Sequence, residues 1–396
     1  VMKYFEEKSA KNALEGKPPI VKRKCEIERI AEGCIDIRRT TGQHPGGIVV
    51  LPIGEEIHSF TPVQHPANDM TTSIVTTHFD YHSIDHNLLK LDILGHLDPT
   101  MIRMLQDLTG IDPLEIPLDS KEVMSLFQNT SALGIKPEDI GGTKLGALGI
   151  PEFGTDFAMQ MLMDTKPQYF SDLVRIAGLA HGTDVWLGNA QTLIKEGKAT
   201  ISTAICTRDD IMIYLIQKGL DSEESFKIME MVRKGKVASG KCKEWPEWKQ
   251  DMIDHGVPDW YIWSCERIKY MFPKAHAAAY VMMAWRVAYC KVFYPLAYYT
   301  AYFSIRATAF DYEKMAMSPV RLEHYIAEYK AKKAEGTISN TEEDELGVMR
   351  IVQEMHARGY EFTPIDIYKA KARTFQIIDG KIMPSFKVIS KVGESA

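Results

Sequence analysis

Leu88-Leu89-Lys90-Leu91-Asp92-Ile93-Leu94, closed by Gly95, has the composition of a β-strand with one acid in its middle. Successive side chains of a strand point to opposite faces, so Leu89, Leu91 and Ile93 share one face and Lys90, Asp92 and Leu94 the other. A carboxylate buried alone in such a strand is costly to desolvate, which leaves Asp92 two uses. It pairs with Lys90 on an exposed edge, or it stands at a sheet centre as a ligand for a divalent cation. Upstream, Gly47-Ile48-Val49-Val50-Leu51-Pro52 is a second short β-branched run, ended by proline. Residues 22–34 read as a helix with Ile27, Ile30 and Ala31 on one face. From Thr100 to about Tyr360 the pattern is mostly helical: Ile102, Leu105, Leu108 and Ile111 recur at helical spacing, as do Ile211, Tyr214, Leu215 and Leu220. Glycines and prolines at 141–154 separate two helical stretches. Thr341 and Asp344 read as a capping box opening the helix that carries Val348, Ile351 and Met355. Phe375 to Ile382 reads as a hairpin with an Asp379-Gly380 turn. The expected fold class is α+β, predominantly helical: a small β-containing unit, a large helical unit, and a shorter third.

The chain has 396 residues, 45% hydrophobic and 25% charged, which is ordinary for globular protein and excludes collagen, coiled-coil and wholly disordered classes. Its six cysteines make no Cys-x-x-Cys pair, which argues against a disulfide framework or a local cysteine zinc site and for a reducing cytoplasm. No apolar run reaches the ~18 residues of a membrane helix. The most hydrophobic stretch, Ala275 to Phe303, is cut by Arg286 and Lys291, so no membrane association is expected. Beginning at Val1, the chain reads as a piece of something longer. A net charge of −6 argues against a surface that attracts phosphate everywhere. One local basic track stands out, Arg233, Lys234, Lys236, Lys241 and Lys243, with no acid inside it.

Three further segments have chemical potential. Asp80, His82, Asp85, His86, His96 and Asp98 surround the acid-bearing strand, but no His-Glu-x-x-His or His-x-His pair organises them, so chance enrichment in a loop accounts for them better than a hydrolase metal cage. Arg38-Arg39-Thr40-Thr41-Gly42-Gln43-His44-Pro45-Gly46-Gly47 precedes the first strand; its small glycines either let backbone amides approach phosphate or simply make a tight turn. The alanine-rich helix after Pro273 places Lys274 and His276 at its N-terminal end, where the helix dipole favours anions, with Tyr280 one turn beyond His276. An ordinary core helix is the alternative.

Taken in order, these segments resemble one family. Arg-Thr-Thr-Gly-Gln-His-Pro-Gly-Gly at 39–47, Lys-Leu-Asp-Ile-Leu-Gly-His at 90–96 and Gly-Ile-Pro-Glu-Phe-Gly-Thr at 149–155 come first. Ala-His-Gly-Thr-Asp-Val-Trp-Leu-Gly-Asn-Ala at 180–190, Arg-Asp-Asp-Ile-Met at 208–212 and Lys-Tyr-Met-Phe-Pro-Lys-Ala-His-Ala-Ala-Ala-Tyr at 269–280 follow. Over nearly the whole length this resembles the PolC type of bacterial C-family replicative DNA polymerases. The resemblance implies the end of a thumb at 1–30, the second part of a nucleotidyltransferase-type palm at 31–105, helical fingers at 106–360, and the start of a helix-hairpin-helix duplex-binding region at 361–396. It implies template-directed transfer of a deoxynucleoside triphosphate to a primer 3′-hydroxyl, with primer-template DNA and dNTP as partners. The sliding clamp and other replisome proteins would be met through regions outside these residues. Asp92 matches the third carboxylate of the family's catalytic triad, which holds two Mg²⁺ ions; the other two precede the thumb. Gln43, His44, Gly46 and Gly47, with Arg208, Arg233, Lys234, Lys236, Lys274 and His276, are implied as nucleotide or DNA contacts. His181 and Asp184 are implied near the base-pair pocket, and Tyr280, one turn from His276, is close enough to offer a ring to a base.

The match departs in places. Asp85-His86 stands where the family usually reads His-Asp, and Leu97 where it has an acid. In Ser390-Lys391-Val392-Gly393, which resembles a helix-hairpin-helix turn, Lys391 replaces a commoner glycine. Two other readings stay open: a DNA-binding module without chemistry of its own, and a metal-dependent hydrolase built on Asp80, His82, His86 and Asp92.

Overall fold

The β-branched run Gly47–Val50 favours extended backbone and pairs with the alternating run Leu89–Asp92. The computed structural model describes residues 2–37, 40–44, 46–390 and 392. The chain divides into two units, Val1–Gly95 and His96–Ala396. The first holds helices α1 (Met2–Leu14) and α2 (Lys24–Glu32) and strands β1 (Gly47–Val50), β2 (Val63–Gln64), β3 (Thr76–Thr77) and β4 (Leu89–Asp92). β1 pairs antiparallel with β4 in the register Gly47 to Asp92, Ile48 to Leu91, Val49 to Lys90 and Val50 to Leu89. β2 pairs with β3. Ile48, Val50, Leu89 and Leu91 are exposed, so the apolar face of the β1–β4 ribbon is uncovered among the described residues.

The second unit is helical. Its helices are α3 (Asp98–Thr109), α4 (Lys121–Ser125), α5 (Asp156–Thr165), α6 (Phe170–His181), α7 (Gln191–Lys195), α8 (Arg208–Lys218), α9 (Ser222–Arg233) and α10 (Trp245–Asp254). They continue with α11 (Asp259–Cys265), α12 (Lys274–Phe293), α13 (Pro295–Ala301), α14 (Tyr312–Met315), α15 (Pro319–Glu335) and α16 (Asn340–Ala357). The chain is therefore α+β and predominantly helical. α12 is apolar nearly all round, as a helix packed on several sides must be. Ala277, Val281, Ala284, Trp285 and Ala288 are buried, and α3, α6 and α13 pack on it. At its far end Lys291 is fully buried and bonds the carbonyls of Gly146 (2.8 Å) and Leu148 (2.5 Å) and the Glu354 carboxylate (2.8 Å). Burial drives its pKa down to about 8 even though Glu354 opposes the shift. A buried ammonium thus nails the loop at 141–154 to α16.

The hairpin forms from β5 (Gln376–Ile378) and β6 (Lys381–Met383). Both turn residues, Asp379 and Gly380, have positive φ, the geometry of a two-residue Asp-Gly hairpin. Phe375 and Ile382 are buried with Phe303, so the stretch at 375–383 packs into this unit. A boundary between 105 and 106 falls inside α3. The turn at 390–393 lies outside the described residues at Lys391 and Gly393.

Two local expectations need correction. The cap of α16 is Ser339 with Glu342, not Thr341 with Asp344, because Ser339 takes the extended backbone a cap requires and its hydroxyl accepts the Glu342 amide. The helix expected over 22–34 is shorter, Lys24–Glu32, and buries no residue.

Candidate functional site

In the first unit the strand register brings two motifs together. Directly opposed residues of an antiparallel pair share a face, so Gly47 and Val49 flank Lys90 and Asp92 on the face opposite the apolar one. Asp92 is half exposed, and its Oδ1 lies 3.3 Å from the Lys90 ammonium. Lys90 also sits over the Tyr81 ring, 5.2 Å from its centroid. This is the edge arrangement rather than a sheet centre, because β1 is the only strand beside β4 among the described residues. An exposed pair of this kind contributes at most about 1 kcal/mol, little enough for a competing cation to replace the ammonium.

The glycines have an internal reason. The Gly46 carbonyl accepts the Ile93 amide at 2.6 Å, and a Cβ on Gly46 would meet the carbonyl oxygen of Ile93 at 2.6 Å. A Cβ on Gly47 would meet His44 Nδ1 at 2.9 Å. Gln43 and His44 are exposed and line a groove of about 1030 Å³ with Gly46, Gly47, Gln64 and Lys90. Arg38, Arg39 and Pro45 of the same motif lie outside the described residues. His82 and His86 each face Asp85, at 3.7 and 3.6 Å. Among the described residues no group of three His, Cys, Asp or Glu side chains is gathered as a metal cage.

In the second unit three motifs meet on a fourth, the strap of residues 269–280. The loop after α6 pairs with it through Thr183 and Tyr270, and Lys269 bonds Asp184 at 2.8 Å. That bond raises the lysine pKa. Asp184 itself has positive φ, and buried Asn189 ties its carbonyl to that of Ser264. The loop after α9 joins next: the Arg233 carbonyl accepts the Met271 amide, and a Cβ on Gly235 would strike the Lys269 carbonyl oxygen at 2.5 Å. The start of α8 closes the set, where the Arg208 amide donates to the Phe272 carbonyl at 3.1 Å. Asp209 caps the Lys274 amide at 2.6 Å, and the Lys274 ammonium lies 3.6 Å from Asp210.

The strap and the first turn of α12 form an aromatic wall. Phe272 stacks on His276, with ring centroids 5.0 Å apart, and Tyr280 follows at 4.3 Å from His276. The His181 ring meets His276 edge-on at 5.6 Å. The Tyr280 hydroxyl bonds Nε2 of His96. Burial and the neighbouring His181 lower the His276 pKa, favouring a neutral imidazole, while burial raises that of Tyr280.

Within the basic track the structure separates residues that look equivalent in sequence. Arg233 is held by Glu230 through two hydrogen bonds, and Lys234 reaches the same carboxylate at 2.9 Å. The Arg233 guanidinium pulls the Glu230 pKa down to about 2. Lys236 is exposed and has no ion-pair partner among the described residues. Two residues went unnoticed in the sequence. Glu230 precedes the track by one helical turn, a spacing that signals pairing with Arg233. Glu152 lies inside the motif at 149–155, and its carboxylate bonds His181 Nε2 at 2.5 Å.

Two family models match: the bacterial DNA polymerase III alpha NTPase domain over residues 1–95 and the bacterial DNA polymerase III alpha subunit finger domain over residues 98–256. The chain belongs to the bacterial DNA polymerase III alpha family, PolC type. It is 50% identical over 396 residues to DNA polymerase III PolC-type of Caldanaerobacter subterraneus subsp. tengcongensis, covering all of this chain and 27% of the relative. It is 54% identical over 373 residues to that of Streptococcus suis, covering 94% of this chain and 25% of the relative. It is 50% identical over 396 residues to that of Clostridium perfringens, covering 100% of this chain and 26% of the relative. The chain thus spans about a quarter of the length of these relatives. The two matched regions coincide closely with the two structural units, and no described helix is long and apolar enough to cross a membrane.

Proposed function

We propose that this chain supplies part of the active site of a template-directed DNA polymerase, the function named for its PolC-type relatives. In the reaction the primer 3′-hydroxyl forms a bond to the α-phosphorus of a deoxynucleoside triphosphate, and pyrophosphate leaves. Asp92, whose hard carboxylate oxygens suit magnesium and whose surface pair with Lys90 is easily exchanged, would be one ligand. Two Mg²⁺ ions shared with further carboxylates would neutralise charge on the attacking and leaving oxygens. His44 with Gly46 and Gly47 shapes the backbone beside Asp92 and keeps that face open; Gln43 lines the same groove.

In the fingers, Arg208, Lys274 and Lys236 offer cations to the triphosphate, with Arg233 and Lys234 partly neutralised by Glu230. Phe272, His276 and Tyr280 present ring faces to a base or sugar, and His181 and Asp184 support the same wall. The observation that carries this reading is the convergence of residues from 180–190, 208–212 and 233–236 on the strap at 269–280. Phosphate-binding cations and stacking rings then stand within one small region, as nucleotide recognition requires. Thumb, palm, fingers and duplex-binding start would take residues 1–30, 31–95, 96–360 and 361–396, with the palm–fingers boundary at 95/96 because one at 105/106 cuts α3.

The test is Asp92→Asn in the full-length polymerase. Incorporation falls by at least about a thousandfold with primer-template affinity kept, as expected for loss of a metal ligand at the reacting phosphate. Near-normal incorporation by this variant would remove the assignment.

A further inference from the structure

We propose that Glu152 is a positioning residue for nucleotide, acting through His181 on the wall of Phe272, His276 and Tyr280. The inference rests on the reading above that this wall receives nucleotide.

Three observations meet at Glu152. Its backbone has a φ of 68°, a left-handed conformation that disfavours any residue with a Cβ, on a turn where glycine would be the ordinary choice. Strain of that kind persists only where the surroundings over-determine it, and here they do. The buried Lys291 holds the Gly146 and Leu148 carbonyls. Gly149 lies so close to α13 that a Cβ would meet the Tyr298 hydroxyl at 2.5 Å. The turn is closed by the Gly154 amide bonding the Ile150 carbonyl at 2.9 Å.

The strained residue is also aimed. Its carboxylate, with the side chain 18% exposed, accepts the Nε2–H of His181, itself 27% exposed. His181 ends α6, and its ring then touches Phe272 (5.4 Å between centroids), His276 (5.6 Å) and Tyr280 (6.3 Å). Without the carboxylate the imidazole is free to turn about its side-chain torsions, and the rings stacked beside it lose their backstop. The loop at 149–154 thereby reaches the nucleotide wall through one hydrogen bond.

The experiment measures steady-state incorporation and thermal unfolding of the full-length polymerase carrying Glu152→Gly, Glu152→Gln or His276→Ala. Glycine relieves the backbone strain and removes only the side chain, so Tm stays level or rises while KM for dNTP rises about tenfold with kcat less affected. Glutamine keeps an oxygen that accepts from His181 and restores most of the KM. A lower Tm in both Glu152 variants overturns the proposal by marking Glu152 as a purely structural residue. A raised KM in His276→Ala with unchanged KM in Glu152→Gly overturns it and leaves the nucleotide-wall reading intact. Unchanged KM in His276→Ala overturns that reading and this proposal together.

Discussion

Arg233 and Lys236 are three residues apart, yet their charges are not equally free. Glu230 takes both hydrogen bonds that Arg233 offers, whereas Lys236 stands exposed. Replacing Lys236 with alanine should raise the nucleotide KM and leave Tm unchanged. Replacing Arg233 should also lower stability, by about 1 kcal/mol for a pair still partly in solvent. The sign with pH follows from the carboxylate: its pKa falls from an ordinary 4.5 in the unfolded chain to about 2 in the folded one. The pair therefore stabilises fully above about 4.5 and is lost as pH falls toward 2. Tm curves of wild type and Arg233→Ala should differ at neutral pH and merge in that acid window; parallel curves throughout would show that the pair adds nothing. By composition alone this track is uniformly basic. Only the acid one turn upstream divides it.

At the scale of elements, the β1–β4 ribbon depends on Gly46. An alanine there meets the Ile93 carbonyl oxygen at 2.6 Å and the Leu94 side chain at the same distance, and backbone cannot yield as a side-chain tip can. Gly46→Ala should cost about 1–3 kcal/mol locally. Amide exchange across β1 and β4 should speed up and the Asp92 carboxylate should be displaced; unchanged exchange would mean that the ribbon tolerates the methyl. The elements themselves were largely legible. Both strands, α3, α8, α12 and the hairpin at 376–383 follow from periodicity, turn residues and β-branching. The cap of α16 is ambiguous in sequence, because Ser339-x-x-Glu342 and Thr341-x-x-Asp344 both fit the pattern locally and only backbone geometry chooses between them.

At the scale of the helical unit, one ion pair joins the loop at 141–154, α12 and α16. Lys291 and Glu354 are each fully buried, and Tyr299 adds a 2.7 Å hydrogen bond to the carboxylate. Lys291→Met should therefore destabilise the unit by about 3–5 kcal/mol, since it strands a buried carboxylate, and adding Glu354→Leu should recover much of that. Equal Tm in the single variant and wild type would show that water reaches the pair. Because the same lysine holds the turn that carries Glu152, the single variant should also raise the nucleotide KM. In sequence Lys291 looked like an interruption of an apolar run, and nothing local distinguished it from a solvated lysine.

The β1–β4 strands, most of the longer helices and the lone acid of β4 were readable from spacing, since each depends on residues close together in the chain, and the family from six motifs in order along it; α1 and the β2–β3 pair were not. Which side chains share a site was not. The strap at 269–280 gathers partners from residues 181 to 235, and the pairs Glu152–His181, Lys269–Asp184 and Lys291–Glu354 span gaps that no periodicity encodes. Whether an acid is paired or a lysine buried depends on what the packed core brings beside it, and desolvation acts only once that core exists.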